Sequence, residues 1–297
     1  MELRVLHYFL AVAREQSISA AAQSLHLTQP TLSTQLKALE EELGKQLLVR
    51  GTKGSRKVTL TEEGMILRKR AEEILTLVNK AEEEIAHSDD TVVGTVSIGA
   101  GETDIVRYFA KAARTLQKRY PDIRYQISSG NAEYVLEYLD KGLIDFGLVF
   151  GEVDQRKYQS LSLPAKDTWG VLMRRDSPLA EKEAITPQDL WDKPLLLSHQ
   201  RGGSGALFRW LKRDASQLNV VATYNLVYNA SLLVDEGLGY ALTLDKLIHT
   251  EGTDMCFRPL SPGMEATAAI VWKKYQVFTK AADTFLRCLK EQLPQES

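Results

Sequence analysis

The segment between residues 29 and 37 is rich in hydroxyl and amide side chains and contains one lysine. At 100° per residue along a helix, these groups lie opposite a stripe of leucines. Hydroxyls and amides can hydrogen-bond base edges in a major groove, and no carboxylate, which phosphate would repel, follows until Glu40. The pattern predicts a DNA-reading face, with an ordinary solvated helix face as the alternative. The leucines are Leu32, Leu36, Leu39 and Leu43, and the predicted contacts are Gln29, Pro30, Thr31, Ser33, Thr34, Gln35 and Lys37.

A basic turn follows this segment and contains two glycines and no acidic residue. Apolar residues at 47–49 and 58–60 predict the two strands of a hairpin around it. Beside a DNA-reading helix, such a hairpin is a wing that contacts phosphates or the minor groove. Alone, it would be ordinary solvated surface. The predicted contacts in the wing are Arg50, Lys53, Arg56 and Lys57.

Three helices are predicted to hold the DNA-reading face in place. Ser19 is the expected cap of a short second helix that contains three consecutive alanines. The third helix starts with Thr28 as its cap and Pro30 in its first turn, and it ends at Gly44, which suits the left-handed conformation. Helix, short helix, tight turn and longer helix form a helix-turn-helix. The buried stripe of the first helix is predicted from Leu3, Leu6, Phe9, Leu10 and Ala13.

A long helix is predicted after the hairpin, with Thr61 as its cap. Its apolar residues alternate in spacings of four and three, a heptad pattern typical of a helix that packs against another helix. That second helix belongs either to the same chain or to a second copy, and a position between two domains favours a second copy. We therefore expect dimerisation through Leu67, Ala71, Ile74, Val78, Ala81 and Ile85.

Strand and helix patterns alternate along the rest of the chain. A βαβαβ order over residues 92–150 predicts an α/β fold with a largely parallel, doubly wound sheet. Further strands are predicted at 169–173, 194–197, 221–226 and 239–243, and further helices near 187–192, 204–217, 230–236 and 276–291.

Ligands of such sheets bind outside the carboxyl ends of the strands. Hydroxyls and free N–H groups at several helix starts suit an anion, to which Arg201 could add a positive charge. Glu102 in the same cleft would instead favour a polar or amine-bearing ligand. Because serine and threonine at helix starts are often only caps, we expect roughly half of the candidates to touch a ligand. The candidates are Gly101, Glu102, Thr103, Ser128, Ser129, Phe150, Gly151, His199, Arg201, Gly203, Ser204 and Asn229.

Residues 1–64 resemble the winged helix-turn-helix of LysR-type transcriptional regulators. The matching segments are FLAVAREQSISAAAQSLHLTQPTLSTQLKALEEELGKQLLVR and KVTLTEEG. Ile18 and Leu48 stand where the family usually has phenylalanine, and both keep an apolar side chain. The rest of the chain resembles the two-lobed effector-binding domain of the same regulators, which is similar in fold to periplasmic binding proteins.

The resemblance implies a domain order. A winged helix-turn-helix over 1–60 would precede a dimerising linker helix over 61–90 and an effector-binding domain over 91–297, with lobe one at 92–161 and 267–297 and lobe two at 162–266. It also implies a homodimer or homotetramer that binds double-stranded promoter DNA, answers to a small-molecule effector, recruits RNA polymerase and acts in the cytoplasm. We expect no cofactor besides that effector.

Composition argues against several other classes of protein. With 44% hydrophobic and 26% charged residues, the chain has the composition of a globular protein. Its net charge is -2, yet residues 1–60 carry eight basic and five acidic groups, which suits a polyanionic partner. No apolar run approaches the roughly 20 residues needed to cross a bilayer, and the N-terminal residues do not read as a signal peptide.

Motifs for catalysis or metal binding are not found in the sequence. Cys256 and Cys288 lack the spacing of a zinc site or a disulfide framework, which fits a reducing cytosol. His199 and Ser204 lie near glycines, but Ala206 occupies the position where a Gly-x-Ser-x-Gly elbow needs glycine. We therefore expect no metal, no catalytic residue and no enzymatic activity.

Overall fold

The structure, a computed structural model, describes residues 1–51, 57–86, 92–151, 153–198 and 201–293. The chain divides into two compact units, Met1–Ala86 and His87–Ser297. Each unit has apolar clusters of its own. The long helix that follows the hairpin therefore belongs to the first unit.

Helices and one hairpin make up the first unit. The helices are α1 (Leu3–Glu15), α2 (Ile18–Ser24), α3 (Gln29–Leu43) and α4 (Glu62–Ala86), and the strands are β1 (Leu48–Arg50) and β2 (Val58–Leu60). The two strands pair antiparallel, with Leu48 opposite Leu60. The predicted order of helices and hairpin is confirmed.

Capping side chains set the ends of α2 and α3. The Ser17 hydroxyl accepts the backbone N–H three residues later at 3.3 Å. The prediction of Ser19 as this cap is wrong, because α2 starts one residue before it. Thr28 caps α3 as predicted, accepting an N–H at 3.4 Å, and Gly44 ends the helix in the left-handed region at φ 64°.

Helix α1 buries two faces instead of one. Val5, Phe9 and Val12 belong to the core that includes the leucines of α3. Leu6 belongs to a second cluster formed with α4. The predicted single stripe is wrong in part, since Leu3 is 45% exposed.

A single mixed sheet runs through the second unit. Its strands are β3 (Gly94–Ala100), β4 (Ile123–Ser129), β5 (Phe146–Phe150), β6 (Tyr158–Arg174), β7 (Leu195–Ser198), β8 (Val220–Tyr224), β9 (Tyr240–Leu244), β10 (Met255–Pro259) and β11 (Glu265–Lys273). Its helices are α5 (Arg107–Arg119), α6 (Ala132–Asp140), α7 (Pro187–Leu190), α8 (Arg201–Leu211), α9 (Val227–Asp235) and α10 (Lys280–Glu291). The strand order is β4-β3-β5-β11-β6-β9-β7-β8, and β10 pairs with β6.

The two lobes are joined by two long antiparallel strands, β6 and β11. Within each lobe the pairing around β3 or around β7 is parallel, as predicted. Leu163 on β6 lies in the core of lobe one, and Val171 lies in the core of lobe two. Strand β6 therefore passes from lobe one to lobe two after Leu163. The predicted boundary, after residue 161, is slightly too early, because one unbroken strand belongs to both lobes.

Two glycines allow α6 to lie close against the strands of lobe one. A Cβ on Gly99 would stand 2.6 Å from Ile144 Cδ1, and one on Gly147 would stand 2.5 Å from Val135 Cγ1. A larger residue at Gly147 would push against Val135 and Leu139 of α6, whose first turn borders the cavity described below. At Gly99 it would first meet the end of the Ile144 side chain, which follows α6.

Candidate DNA-binding and effector-binding sites

The outer face of α3 is open to solvent. Leu32, Leu36 and Leu39 are buried beneath it, as the spacing predicts. Leu43 is 40% exposed, which corrects the prediction that it belongs to the buried stripe. Of the seven predicted contacts, the exposed ones are Gln29, Pro30, Thr31, Thr34 and Lys37, and the half-buried ones are Ser33 and Gln35.

The first turn of α3 uses one of these hydroxyls internally. Thr31 Oγ1 lies 2.8 Å from the hydroxyl of the capping Thr28. This contact orients Thr31 along the helix start. Thr34, one turn further on, projects from the exposed part of the same face.

Glu40 fastens the wing to α3. Its Oε1 accepts the backbone N–H groups of Leu47 at 2.8 Å and Leu48 at 3.0 Å. Its Oε2 lies 3.7 Å from Arg50 Nη2, so the predicted phosphate contact Arg50 is partly engaged at the base of the hairpin. Lys57 is exposed, whereas Lys53 and Arg56 lie outside the described residues.

The heptad stripe of α4 is divided between two environments. Leu67, Ala71 and Ile74 lie in a cluster with Leu6 of α1, and Ala71 is fully buried there. The burial of Ala71 within the chain corrects its assignment to a seam with a second copy, whereas Leu67 and Ile74 are half-buried and stay predicted dimer contacts. Ile85 is 76% exposed. In the same half of the stripe, Val78 is half-buried and Ala81 is exposed.

A cavity of about 200 Å³ lies between the two lobes of the second unit. Both lobes and both crossing strands contribute to its wall. From lobe one come Gly101, Glu102, Gly130, Asn131, Ala132, Glu133, Leu148, Val149 and Phe150; from the crossing strands and lobe two come Trp169, Ser198, Ala206, Leu207, Tyr224, Asn225, Val227, Thr243, Leu244, Leu247, Met264, Glu265 and Ala266.

The predicted effector contacts fall into three groups. Gly101, Glu102 and Phe150 line this cavity. Thr103 and Ser129 line a neighbouring, more open cavity of about 270 Å³, which Glu102 also borders. Ser128, Gly151 and Asn229 line neither, which corrects their placement, while His199 and the side chains of Arg201, Gly203 and Ser204 lie outside the described part of the chain.

Helix α9 begins at the wall of the cavity, three residues earlier than predicted. Asn225 and Val227 line the cavity where Asn229 was expected to do so. The residue before the helix, Leu226, provides no side-chain cap. Instead, Glu102 Oε2 accepts the N–H of Val227 at 2.5 Å. The expectation of free N–H groups at this helix start is therefore wrong for that donor.

The Thr103 side chain forms hydrogen bonds within the protein. Its buried hydroxyl donates to Asp167 Oδ2 and accepts the N–H of Ile105 at 3.0 Å. Asp167 lies on the crossing strand β6 and is 6% exposed. Burial raises the pKa of Asp167 above its ordinary value.

Two aromatic residues of the cavity, Trp169 and Tyr224, are not among the contacts predicted from the sequence. Trp169 comes from the middle of β6, and Tyr224 ends β8. The Tyr224 hydroxyl donates to the Leu242 carbonyl at 2.6 Å, and burial raises the pKa of this hydroxyl. Trp169 does not lie at the end of a strand, so the rule that ligands bind at strand ends does not identify it. It reaches the cavity because β6 crosses from one lobe to the other. Tyr224 lies within the strand predicted at 221–226, whose end was placed two residues too late.

Acidic residues outnumber basic ones around the cavity. Glu102, Glu133 and Glu265 belong to its wall, and no lysine or arginine does so among the residues whose side chains the structure describes. Glu265 pairs with Lys166 at 2.6 Å. Glu102 instead meets a backbone N–H group, as described above.

A winged helix-turn-helix followed by a two-lobed α/β domain with a cavity between its lobes defines a DNA-binding regulator with an effector-binding domain. Residues 3–65 match the family model described as bacterial regulatory helix-turn-helix protein, lysR family. Residues 89–294 match the LysR substrate binding domain. The chain belongs to the LysR family of transcriptional regulators, whose members in these comparisons are regulators and not enzymes.

Similar proteins cover nearly the whole chain. The HTH-type transcriptional regulator BsdA of Bacillus subtilis (strain 168) is 38% identical over 295 residues, covering 96% of this chain and 99% of BsdA. The Hca operon transcriptional activator HcaR of Escherichia coli (strain K12) is 30% identical, covering 99% and 98%. Full-length CbnR complexed with its target DNA has the same fold, with a TM-score of 0.75 at 20% identity, covering 98% of this chain and 99% of that chain. None of the described helices is long and apolar enough to span a membrane.

Proposed function

We propose that this regulator binds a dyad-symmetric promoter site as a homodimer or homotetramer, reading bases with α3 and contacting phosphates with the wing. The exposed face of α3 between Gln29 and Lys37, which contains no acidic residue, is the observation that carries this proposal. Hydroxyls and amides on such a face match the donors and acceptors of base edges, and Lys37 matches phosphate. The link from Glu40 to the wing keeps helix and hairpin together as one binding surface.

Thr34→Ala tests the base-reading role of this face. Each good base contact contributes about 1–3 kcal/mol of specificity, so affinity for the specific site should fall roughly 5- to 150-fold. Affinity for random duplex should change little at the same salt concentration. Fluorescence anisotropy titrations on both duplexes measure the two affinities.

Thr115→Ala is the matched control, because Thr115 is an exposed threonine of α5 in the other unit. It should leave both affinities unchanged. An equal loss on specific and random DNA for Thr34→Ala would show that Thr34 contacts only the DNA backbone.

Dimerisation is proposed to use the second half of the α4 stripe. Val78, Ala81 and Ile85 continue the heptad spacing beyond the part that packs on α1. The large exposure of Ile85 supports this assignment. Pairing two DNA-binding units raises the affinity for two half-sites through effective concentration.

The cavity is proposed to bind the small-molecule effector. A ligand that contacts both lobes favours one lobe arrangement over another, and the population shift is transmitted to the DNA-binding helices. Regulation would then proceed by altered DNA bending and recruitment of RNA polymerase in the cytoplasm. No cofactor or metal besides the effector enters this proposal. Phe150, Trp169 and Tyr224 suit a ligand with an apolar or aromatic body.

A further inference from the structure

Glu102 connects the two lobes across the cavity. It follows β3 of lobe one, and its carboxylate accepts the first N–H of α9 in lobe two at 2.5 Å. No side chain at the helix start itself supplies this cap. A carboxylate from one lobe therefore replaces the missing capping residue of a helix in the other lobe.

This contact bears on the charge of the ligand that the cavity can bind. The N-terminus of a helix carries a partial positive charge and exposed N–H groups, so it attracts anions. At α9 the anion is already present, because Glu102 belongs to the chain itself. A ligand carboxylate at this place would have to displace Glu102 and would then face it at short range.

The other charged residues in the described wall of the cavity are also glutamates. Glu133 and Glu265 also lie in its wall, and only Glu265 is paired there with a lysine side chain, Lys166. Among the side chains that the structure describes in this wall, none carries a positive charge. The charges of these described wall residues therefore favour a cation over an anion.

The aromatic part of the wall fits a cation equally well. Phe150, Trp169 and Tyr224 surround the same cavity as Glu102. Aromatic faces attract ammonium groups, and they also bury an apolar ligand body.

We propose that Glu102 is the specificity-determining residue of the effector cavity and that the effector is a small molecule with an apolar body and an ammonium group. The proposal rests on the proposed function, in which this cavity binds the effector. The ammonium group donates hydrogen bonds to Glu102, whose second carboxylate oxygen does not take part in the bond to Val227. A neutral ligand of the same shape binds more weakly, and a carboxylate binds most weakly.

Three probes of nearly equal shape test this order in the full-length protein. Benzylamine, benzyl alcohol and benzoate differ mainly in carrying a positive, a zero or a negative charge. Isothermal titration calorimetry at neutral pH should give the affinity order amine, alcohol, acid for the wild type. The preference of the amine over the acid should be at least tenfold.

Glu102→Gln should reverse this preference. The amide keeps the size of the side chain but removes its charge, so benzylamine should bind about tenfold more weakly and benzoate at least tenfold more tightly. Glu183→Gln is the matched control, because Glu183 is an exposed glutamate of the same unit that lines neither cavity. It should change either affinity by less than threefold.

Three outcomes would overturn the proposal. Benzoate binding to the wild type as tightly as benzylamine would remove the charge preference. An unchanged benzoate affinity in Glu102→Gln would remove Glu102 as its cause. Failure of all three probes to bind either protein at millimolar concentration would remove the cavity as an effector site, whereas sequence-specific DNA binding would remain as a separate result.

Discussion

Along the outer face of α3, hydroxyls, amides and Lys37 meet solvent with no carboxylate among the predicted contacts, while the cavity of the second unit has three glutamates in its described wall. Acidic residues of α3 occur only in its last turns, and the first of them, Glu40, accepts two backbone N–H groups of the wing segment. Within the cavity, Glu102 is kept at the start of α9. The placement of the carboxylates therefore suits anionic DNA on the first surface and the proposed cationic effector in the second.

Ile85→Asp should produce the largest effect, a loss of DNA affinity. It should not affect ligand binding in the cavity, so it distinguishes the two surfaces. A buried aspartate in the proposed α4 seam would disrupt the dimer, so affinity for specific DNA should fall by about 10²- to 10⁴-fold with the loss of bivalent binding. Benzylamine binding in the cavity should remain unchanged. Sedimentation, DNA titration and calorimetry measure the three quantities.

Ile85→Val serves as the control for this experiment, because it keeps an apolar branched side chain in the seam. It should sediment as the wild type. If Ile85→Asp also sediments as the wild type, α4 does not form the dimer interface.

Lys37→Glu would place an acid among the predicted DNA contacts of α3 and should have an intermediate effect on DNA affinity. Affinity for both specific and random DNA should fall about tenfold or more, equivalent to about 1.4 kcal/mol. The slope of log K against log salt should become shallower by about one unit, because one phosphate contact is lost. DNA titrations over a range of salt concentrations provide both values.

Lys111→Glu makes the same charge change on an exposed lysine of α5, in the other unit. It should leave the salt slope unchanged. A similar decrease in both variants would mean that overall charge, and not the face of α3, determines the affinity.

The smallest effect is expected for Asp167, and it concerns the pH dependence of the free energy of unfolding. Asp167 extends the comparison to an acid that is buried and does not lie on a binding surface. Its pKa is raised by burial, so the folded chain keeps a proton that the unfolded chain releases. Its contribution to stability is fully present below the ordinary aspartate pKa and is lost as pH rises through the raised value. The free energy of unfolding of the wild type should therefore decrease relative to that of Asp167→Asn as the pH rises above about 4, the ordinary aspartate pKa.

Urea unfolding of both proteins at several pH values measures this difference. Carboxylates with lowered pKa values, such as Asp189, affect both proteins equally and cancel in the comparison. A difference that stays constant with pH would show that Asp167 titrates alike in the folded and unfolded chains.

The exposed face of α3 was predictable because it depends on local sequence. Leu32, Leu36 and Leu39 repeat at the helical period, so the opposite face follows from geometry alone. Leu43 is 40% exposed, because it lies at the end of the helix, where the core no longer covers it. Ala71 was assigned to a seam with a second copy, since periodicity identifies an apolar stripe but not the helix that covers it.

The cavity was only partly predictable, because its wall is assembled from distant segments. Gly101, Glu102 and Phe150 follow strand ends and were found by that rule. Trp169 on β6 and Ala266 on β11 reach the cavity only through the two strands that cross between the lobes. The position of these crossings depends on tertiary pairing, which no local pattern specifies.

The binding of the purified protein to sheared genomic DNA from its own organism, followed by sequencing of the retained fragments, tests the central claim most directly. Competition with excess random duplex isolates specific binding. The account predicts enrichment of a few sites with two half-sites separated by about one helical turn or a multiple of it, and loss of that enrichment in Lys37→Glu. Recovery of fragments in proportion to their abundance would contradict a sequence-specific regulator.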